Sequence, residues 1–459
     1  MKELSAKLEV VVLAAGQGKR MASRRPKVLH PLAGRPLLRH VLDTVGLLEP
    51  RRVHVVVGHG ADQVRAAIAD DVNWVLQSEQ HGTGHAVQLA LPDVADDAVV
   101  LVVYGDVPLI RAETLRDCAL AAAEGGVAMV TAVLDDPAHL GRIMRDASGA
   151  IEGIVEYRDA DAEQRAVCEI NSGIMAAPRE LLHPLLQRLQ PDNAQAEYYL
   201  TDVVGMAVAQ GTPVTGLTVA DADEVRGIND RAELAALERH CQRRLAAGLM
   251  ASGVSLADPQ RLDVRGRVTA GQDCFFDVNV VLEGNVVLGD GVYLGPGVVV
   301  RDSSLGDGTR VEAHSVVDGA RLGADCVIGP FARLRPGTEL AERVRIGNFV
   351  EIKKSVLGPG SKANHLAYLG DATLGADCNV GAGTITCNYD GVDKHATSVG
   401  DRVFVGTNST LVAPLSIEAD AYVAAGSTVT STVRAGELAV GRARQRNIHG
   451  WVRPDRRKR

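Results

Sequence analysis

Two glycines and two cationic side chains follow the first apolar run of the chain and could bind an anionic ligand. The run Leu8–Leu13 leads into Gly16 and Gly18, and Arg20 and Lys27 come next. Glycines let backbone N–H groups approach an anion closely because no Cβ stands in the way. The spacing matches neither the G-x-G-x-x-G dinucleotide motif nor the Walker A motif. The residues alone leave a phosphate-binding loop and a plain turn as equal alternatives.

Polar side chains that could bind a metal ion follow later apolar runs. Asp106 comes soon after the run Val99–Val103, beside glycine and proline. A lone carboxylate at such a position suits Mg²⁺, which proteins commonly hold with one or two carboxylates plus substrate phosphates. An Asx turn that closes the loop is the alternative for Asp106. Asn229 precedes a periodic apolar stretch, where its ordinary role is a helix N-cap.

One histidine in the C-terminal half stands near a cluster of positive charges. An imidazole, with a pKa near neutrality, can act as a general base. A lone histidine such as His365 is nevertheless more often a surface residue. The cationic cluster suits a ligand that carries phosphate, and ordinary solvated charge is the alternative. The cluster consists of Arg333, Arg335, Lys353, Lys354 and Lys362.

The elements that must position the N-terminal residues alternate between strand and helix. β-branched runs such as Val53–Val57 and Val127–Val133 predict strands, and Ala/Leu-rich stretches such as Leu37–Leu47 and Thr114–Ala123 predict helices. This alternation is typical of βαβ units and a mostly parallel sheet. Ligands bind such sheets at the carboxyl ends of the strands. We therefore expect a Rossmann-like α/β domain with its site at that edge.

The C-terminal half is a repeat. Aliphatic residues recur every six positions from Leu288 to Val429, often followed by glycine, and residues 260–459 hold 27 of the 48 glycines. A six-residue period is the hexapeptide signature of a parallel β-helix. Three hexads make one coil, so residues 264–430 predict roughly nine coils, with glycine and asparagine at turns that need positive φ. The hexads are scaffold, and we expect chemistry where His365 and the segment 384–394 interrupt them.

Composition excludes several classes of protein. A net charge of −8 and 46% apolar residues argue against disorder. No apolar run reaches the length of a membrane span, the N-terminus lacks a signal-peptide pattern, and seven scattered cysteines favour reduced cytoplasm. Residues 432–459 contain nine Lys and Arg against Glu437 and Asp455. With no RNA-binding fold beside this tail, contact with the phosphates of a small ligand or simple solubility is preferred to nucleic-acid binding.

The segment from Leu13 to Met21, read as Leu-x-x-Gly-x-Gly-x-Arg-Met and followed by Pro-Lys, resembles the signature of sugar-nucleotide pyrophosphorylases. That family usually has threonine where this chain has Lys19. With the later strand-end segments, the N-terminal half resembles the uridyltransferase half of a bacterial bifunctional family that makes UDP-N-acetylglucosamine. The resemblance implies that Asp106 and Asn229 hold Mg²⁺ and that Lys27, with Arg20, acts on the phosphates. It places the uracil of UTP against Leu13, Ala14, Gly16, Gln77, Gly82 and Thr83, and the sugar against Gly141, Glu156 and Asn171. Ala15, Tyr104 and Gly105 are further substrate-binding residues that it implies.

Asn364-His365-Leu366 with Tyr368, followed by Asn379 and Asn388-Tyr389, is similar to the acetyltransferase half of the same family, a trimeric left-handed β-helix that uses acetyl-CoA. The resemblance implies that His365 is the general base. It places the sugar phosphate against Arg335, Lys353, Tyr368, Asn379, Asn388 and Tyr389, and acetyl-CoA against Ala382, Thr407, Ala425 and Arg442. Family patterns often have glycine at 364, threonine at 367 and serine at 407, where this chain has Asn364, Ala367 and Thr407.

The resulting expectation is a bifunctional, cytoplasmic, homotrimeric enzyme with small-molecule substrates. It comprises a nucleotidyltransferase domain over 1–229, a linker helix over 230–252, and a β-helix with a basic tail over 253–459. Two other hypotheses stay open. One is a non-enzymatic regulatory subunit like those of a translation-factor exchange complex. The other is a pyrophosphorylase whose β-helix serves assembly only.

Overall fold

A computed structural model describes residues 2–454. The chain divides into two compact units, Met1–Cys241 and Gln242–Arg459, and each is described by itself. The cationic residues of the tail at 456–459 lie outside the described range. No helix within that range is long and apolar enough to cross a membrane.

The first unit is built on a nine-stranded sheet. Its path runs β11-β7-β10-β6-β1-β4-β5, while β8 pairs with β10 and β9 pairs with β8. Neighbours on this path are parallel, except that β10 runs antiparallel to β6 and β7. The strands, including the separate pair β2-β3, are β1 Leu8–Ala14, β2 Pro31–Leu32, β3 Arg35–Pro36, β4 Arg52–Val57, β5 Asn73–Leu76, β6 Val99–Tyr104, β7 Val127–Val133, β8 Arg142–Arg145, β9 Ile151–Val155, β10 Glu169–Pro178 and β11 Val214–Thr218.

Helices cover both faces of this sheet, so the core forms two apolar layers. Short 3-10 turns at Lys19–Met21, Lys27–Leu29, Leu91–Asp93 and Ala222–Val225 shape the connections. The α-helices of this unit are α1 Lys2–Ser5, α2 Leu37–Gly46, α3 Ala61–Ala67, α4 Thr83–Ala90, α5 Ala112–Ala123, α6 Ala162–Arg165, α7 Arg179–Gln187 and α8 Asp202–Ala209. The helix α9, Arg231–Ala251, contains the boundary between the two units.

The central strands position the first candidate site. All seven residues of β1 are buried, as expected for a strand covered on both faces. In the parallel pairing of β1 with β6, Leu13 lies opposite Tyr104. The loop after β1, with its glycines, and the loop after β6, with Asp106, therefore emerge side by side at the carboxyl edge of the sheet.

The second unit is a parallel β-helix in which each coil gives one strand to an 11-stranded sheet and two strands to a 17-stranded sheet. Strands of the first sheet are Ser255–Leu256, Phe275–Phe276, Tyr293–Leu294, Arg310–Val311, Val327–Ile328, Arg345–Asn348, Lys362–His365, Asn379–Val380, Phe404–Val405, Tyr422–Val423 and Leu438–Ala439. Strands of the second sheet are Asp263–Ala270, Val281–Leu288, Val299–Arg301, Ser304–Leu305, Val316–Asp318, Ala320–Leu322, Arg333–Leu334, Thr338–Leu340, Glu351–Lys353, Val356–Leu357, Tyr368–Gly370, Ala372–Leu374, Ile385–Cys387, Thr397–Val399, Thr410–Val412, Leu415–Ile417 and Thr428–Val429. A 3-10 turn at Pro259–Arg261 precedes the regular coils.

The hexad aliphatics form one continuous core along this unit, from Leu288 to Val429. Glycine was expected at turns that need positive φ, and this expectation was incomplete. Glycines that follow an aliphatic residue mainly allow close stacking of coils. A Cβ on Gly347 would lie 1.9 Å from the carbonyl oxygen of Asn364 in the next coil. Positive φ at the corners is also adopted by other residues, such as Phe349 at 56°.

Candidate active sites

The first unit contains a cavity of about 1180 Å³ at the carboxyl edge of its sheet. It lies where a doubly wound sheet binds its ligands. Most of the residues singled out in the N-terminal half line it. These are Leu13, Ala14, Ala15, Gly16, Arg20, Lys27, Gln77, Gly82, Thr83, Tyr104, Asp106, Asn171 and Asn229.

Three predicted residues, Gly105, Gly141 and Glu156, are not part of this lining but lie directly behind it. The Gly105 amide donates to the Leu13 carbonyl at 2.9 Å, and the Asn171 amide donates to the Gly141 carbonyl at 2.9 Å. A Cβ on Gly141 would lie 3.3 Å from Oε2 of Glu156. Burial raises the pKa of Glu156, although a hydrogen bond from Thr201 partly opposes that effect.

Lys27 lies between the two side chains expected to hold a metal ion. Its ammonium forms an ion pair with the Asp106 carboxylate, and its Nζ lies 3.3 Å from Oδ1 of Asn229. A carboxylate oxygen and an amide oxygen are ligands that suit Mg²⁺. The two oxygens already face a common cation in this structure, so the donor set fits the expected metal.

Contacts between loops set the separation of Asp106 and Asn229. The Ile228 amide donates to the Asp106 carbonyl at 3.1 Å. The buried Glu224 carboxylate accepts hydrogen bonds from the Arg111 amide at 3.1 Å and from the Thr114 hydroxyl, both at the start of α5. These contacts join the loop that carries Asp106 to the segment that carries Asn229.

The end of that segment also distinguishes the two roles considered for Asn229. Oδ1 of Asp230 accepts from the Ala232 and Glu233 amides, each at 2.9 Å, which is N-cap geometry. The Asn229 amide donates to the Glu233 carboxylate at 2.6 Å. Asp230 therefore caps α9, and the Asn229 side chain is directed to Lys27 instead.

Two glycines of the cavity occupy positions that a side chain would disturb. Gly18 has φ of 61°, and a Cβ there would lie 2.7 Å from Cβ of Lys27. Gly82, at the start of α4, has φ of 104°, and its Cβ would lie 2.6 Å from the Tyr198 carbonyl oxygen. The glycine loop is therefore packed against Lys27 and is more than a plain turn.

One cluster of possible metal ligands lies outside the predicted set. Among the described residues, Asp221, Asp223 and His240 are the group of three whose ligand atoms lie within 4.8 Å of one another. Nδ1 of His240 is 2.7 Å from Asp223, and Arg111 and Arg226 also pair with these carboxylates. This is an ion-pair network separate from Asp106 and Asn229.

In the second unit, His365 ends a strand of the 11-stranded sheet and its side chain is exposed. Its Nδ1 lies 3.0 Å from Oδ1 of Asn348, which is in register with it one coil earlier. With Nδ1–H donating to Asn348, the lone pair of Nε2 points away and can accept a proton. Sequence reasoning missed Asn348, although its 17-residue separation from His365 is one coil of the repeat.

Cationic and polar groups gather on the coils around Tyr368. Lys353 is in register with Gly370, the last residue of the strand Tyr368–Gly370. Nearness of the Lys353 ammonium lowers the pKa of Lys394, a residue that sequence reasoning also missed. Arg335 pairs with Glu351 at 2.8 Å. Positive charges gathered in this way favour an anionic ligand such as a phosphate group.

The remaining predicted residues fall into three places. Asn379 lies on the other sheet, in register with Lys362. Asn388 is buried and donates to the Asp371 carboxylate, which fixes the base of the loop that follows. Tyr389 is exposed on that loop, and its hydroxyl donates to the Gly391 carbonyl at 2.6 Å.

The four residues expected to contact acetyl-CoA follow one corner of successive coils. The Asn408 amide donates to the Ala382 carbonyl, and the Gly426 amide donates to the Thr407 carbonyl, each at 2.7 Å. The Arg442 guanidinium then donates to the Ala425 carbonyl at 2.6 Å. The structure therefore brings Ala382, Thr407, Ala425 and Arg442 into one line.

Comparison with known proteins covers both units. Residues 10–199 match the MobA-like NTP transferase domain, residues 264–348 match the GMPPB C-terminal domain, and residues 396–431 match the hexapeptide repeat of succinyl-transferase. These matches confirm the expected fold class, an α/β nucleotidyltransferase unit followed by a left-handed parallel β-helix.

Full-length relatives carry a single name. The chain is 58% identical to the bifunctional protein GlmU of Alkalilimnicola ehrlichii, over 98% of this chain and 97% of the relative. It is 55% identical to the protein of that name from Marinobacter nauticus, over 97% and 99%, and 54% identical to that from Stutzerimonas stutzeri, over 98% and 100%.

Proposed function

The chain belongs to the family of bifunctional GlmU proteins, and on that premise we propose which groups perform its two transfer reactions. It is an enzyme of UDP-N-acetylglucosamine synthesis. The second unit transfers acetyl from acetyl-CoA to glucosamine 1-phosphate. The first unit joins the product to UTP and releases pyrophosphate. One observation carries this proposal: the chain matches a bifunctional relative over 98% of its length.

In uridyl transfer, a phosphate oxygen of N-acetylglucosamine 1-phosphate attacks the α-phosphorus of UTP. The bond from that phosphorus to the bridging oxygen breaks, and pyrophosphate leaves. Both reactants are anionic, so the protein must align them and offset their repulsion and needs no nucleophile of its own. Lys27 and Arg20 supply positive charge at the cavity wall. Mg²⁺ bound by Asp106 and Asn229 would add charge neutralisation at the phosphates.

In acetyl transfer, the amine of glucosamine 1-phosphate attacks the thioester carbonyl of acetyl-CoA. Nε2 of His365 accepts the proton that the amine loses, and CoA leaves as the thiol after protonation of its sulfur. Asn348 holds the ring through Nδ1. Lys353 and Arg335, with Tyr368 and Asn388 beside them, bind the sugar phosphate, and the corner line from Ala382 to Arg442 binds acetyl-CoA.

We also propose that the chain forms a homotrimer through its β-helix. Phe331, Phe349 and Leu366 occupy successive corners and are 49%, 58% and 61% exposed. The rings of Phe331 and Phe349 stack at 5.5 Å, so they form a continuous apolar stripe suited to an interface. We place the enzyme in the cytoplasm, where its seven free cysteines would stay reduced.

The test is to assay both half-reactions with wild type, Asp106→Ala and His365→Ala. We expect Asp106→Ala to lose uridyl transfer only and His365→Ala to lose acetyl transfer only. Full acetyl transfer by His365→Ala would show that the base is misassigned. A wild type without acetyl transfer would leave a pyrophosphorylase with a β-helix used for assembly.

A further inference from the structure

Arg142 is a buried cation that directly follows Gly141, one of the residues expected to contact the sugar. Its side chain is 2% exposed. It begins β8 and pairs in register with Ile170, the neighbour of the cavity residue Asn171. Within the described residues, no carboxylate forms an ion pair with it. Burying such a charge costs free energy unless hydrogen bonds replace its hydration. The acceptors of the Arg142 N–H groups therefore indicate its role.

The guanidinium donates to three backbone carbonyls. Nη1 donates to Leu140, Nη2 donates to Ala138 at 3.0 Å, and Nε donates to Arg165 at 3.3 Å. The planar fork of arginine suits such a set of fixed acceptors, whereas lysine offers one point charge. Two of the three acceptors therefore belong to a single loop.

That loop, residues 136–140, is a wall of the cavity, since Asp136, Pro137, Ala138, His139 and Leu140 all line it. Ala138 has φ of 44°, a conformation that costs a non-glycine residue energy and that surrounding contacts must hold.

The 136–140 loop also contacts an aromatic ring, that of Tyr157. The His139 ring packs edge-on against Tyr157 at 4.8 Å, and the Arg142 guanidinium lies 5.6 Å from the Tyr157 ring centroid. Arg165 lies over the same ring at 4.7 Å but is exposed. Arg142 is thus joined to the loop both through carbonyls and through this ring.

We propose that Arg142 is a positioning residue for the sugar phosphate in uridyl transfer: it fixes the 136–140 wall against which the N-acetylglucosamine 1-phosphate ring is aligned. This inference rests on the proposed function of the first unit. The residues expected to contact uracil belong to other segments of the lining, around Leu13 and Gln77. Loss of Arg142 should therefore act on the sugar and spare UTP.

The experiment compares Arg142→Lys and Arg142→Gln in the full chain, with Arg165→Met as the matched control that removes a cation from the same ring. We expect the KM for N-acetylglucosamine 1-phosphate to rise roughly 10- to 100-fold in both Arg142 variants, because small misplacements of a substrate have effects of this size. The KM for UTP should stay within about twofold, as should both KM values in Arg165→Met.

Three results would overturn the proposal: an unchanged sugar KM in Arg142→Lys, an equal rise of both KM values, or an equal sugar effect in Arg165→Met. If Arg142→Gln does not fold, Arg142→Lys decides, since it keeps the charge and loses only the fork. A wild type without uridyl transfer would instead refute the proposed function of this unit, which separates the two failures.

Discussion

The two units position their reactive groups in different ways. In the first unit, Lys27 meets Asp106 and Asn229 from positions 79 and 202 residues away. In the second unit, His365 meets Asn348 from 17 residues away, one coil earlier in a regular stack. The first site depends on loops held together by tertiary contacts, whereas the second uses the spacing of the repeat. In the first unit, we therefore expect a substitution to affect the site through contacts between loops that are distant in sequence. In the second unit, the effects of a substitution should be confined to neighbouring coils.

The largest effect confined to one site is expected from replacing Lys27, the cation between Asp106 and Asn229. Lys27→Met should lower kcat for uridyl transfer by about 10²–10³-fold, the usual effect of losing one preorganised charge at a transition state. Acetyl transfer should not change. Steady-state assays of both reactions check this, with exposed Lys7→Met as the control; a parallel loss of acetyl transfer would contradict independent sites.

The corresponding change in the second unit replaces Asn348, whose side chain holds the ring of the proposed base, His365. Asn348→Ala should lower kcat for acetyl transfer by roughly 10- to 100-fold, because a loosely held imidazole reacts less often in the right orientation. Asn348→Asp keeps an oxygen that can accept from Nδ1–H, so it should retain more of the acetyl transfer than Asn348→Ala. Exposed Asn285→Ala is the control, and equal losses in Asn348→Asp and Asn348→Ala would argue against the contact with Nδ1.

A smaller effect is expected from the loop contact behind the metal ligands. Glu224→Gln removes the charge that holds the start of α5, and we expect about a tenfold rise in the Mg²⁺ concentration for half-maximal uridyl transfer. Titration calorimetry of Mg²⁺ with UTP present gives an independent measure. Exposed Glu113→Gln, on the same helix turn, should leave both values unchanged, and an unchanged Mg²⁺ requirement in Glu224→Gln would mean that this contact is only structural.

The smallest expected effect concerns stability of the first unit. Burial raises the pKa of Glu156, with Asp202 and Asp159 adding to the effect, so between the ordinary and the raised pKa the folded state binds more of this proton than the unfolded chain does. This group therefore favours folding at low pH, and that contribution is lost as pH rises through the raised pKa.

Glu156→Gln should accordingly raise Tm by a few degrees at pH 8, and the gain should disappear near pH 4. Thermal unfolding at several pH values measures this, with exposed Glu152→Gln as the control. A gain that is constant with pH would show that the carboxylate charge is not its cause. Sugar binding by the variant should weaken if Glu156 contacts the substrate.

Sequence reasoning located the elements better than the contacts between them. Strands such as Val127–Val133 followed from their β-branched runs, and the hexads followed from their period. The same logic placed Asp106 at a strand end. Local pattern decides these features, because each depends on neighbours in the chain.

Contacts that cross long sequence separations could not be derived from such patterns. Nothing near Glu224 indicates that its carboxylate meets Thr114, 110 residues away. Arg142 resembles any strand residue until its three carbonyl partners are seen. Glycines such as Gly347 were assigned to turns, because the approach of a neighbouring coil cannot be seen in a single hexad. Asn348 was the one omission that the period itself could have corrected.

The stacking of coils also decides which parts of the second unit open first. A coil within the stack has two neighbours, whereas the strand Leu438–Ala439 pairs only with Tyr422–Val423. A linear array frays from its ends, because a terminal unit is held through one interface only. Between Lys362–His365 and that end lie the strands Asn379–Val380, Phe404–Val405 and Tyr422–Val423. Amide hydrogens should therefore exchange fastest in the last coil and more slowly towards His365, so the coils proposed to contact acetyl-CoA also shield the backbone of the coil that carries the proposed base.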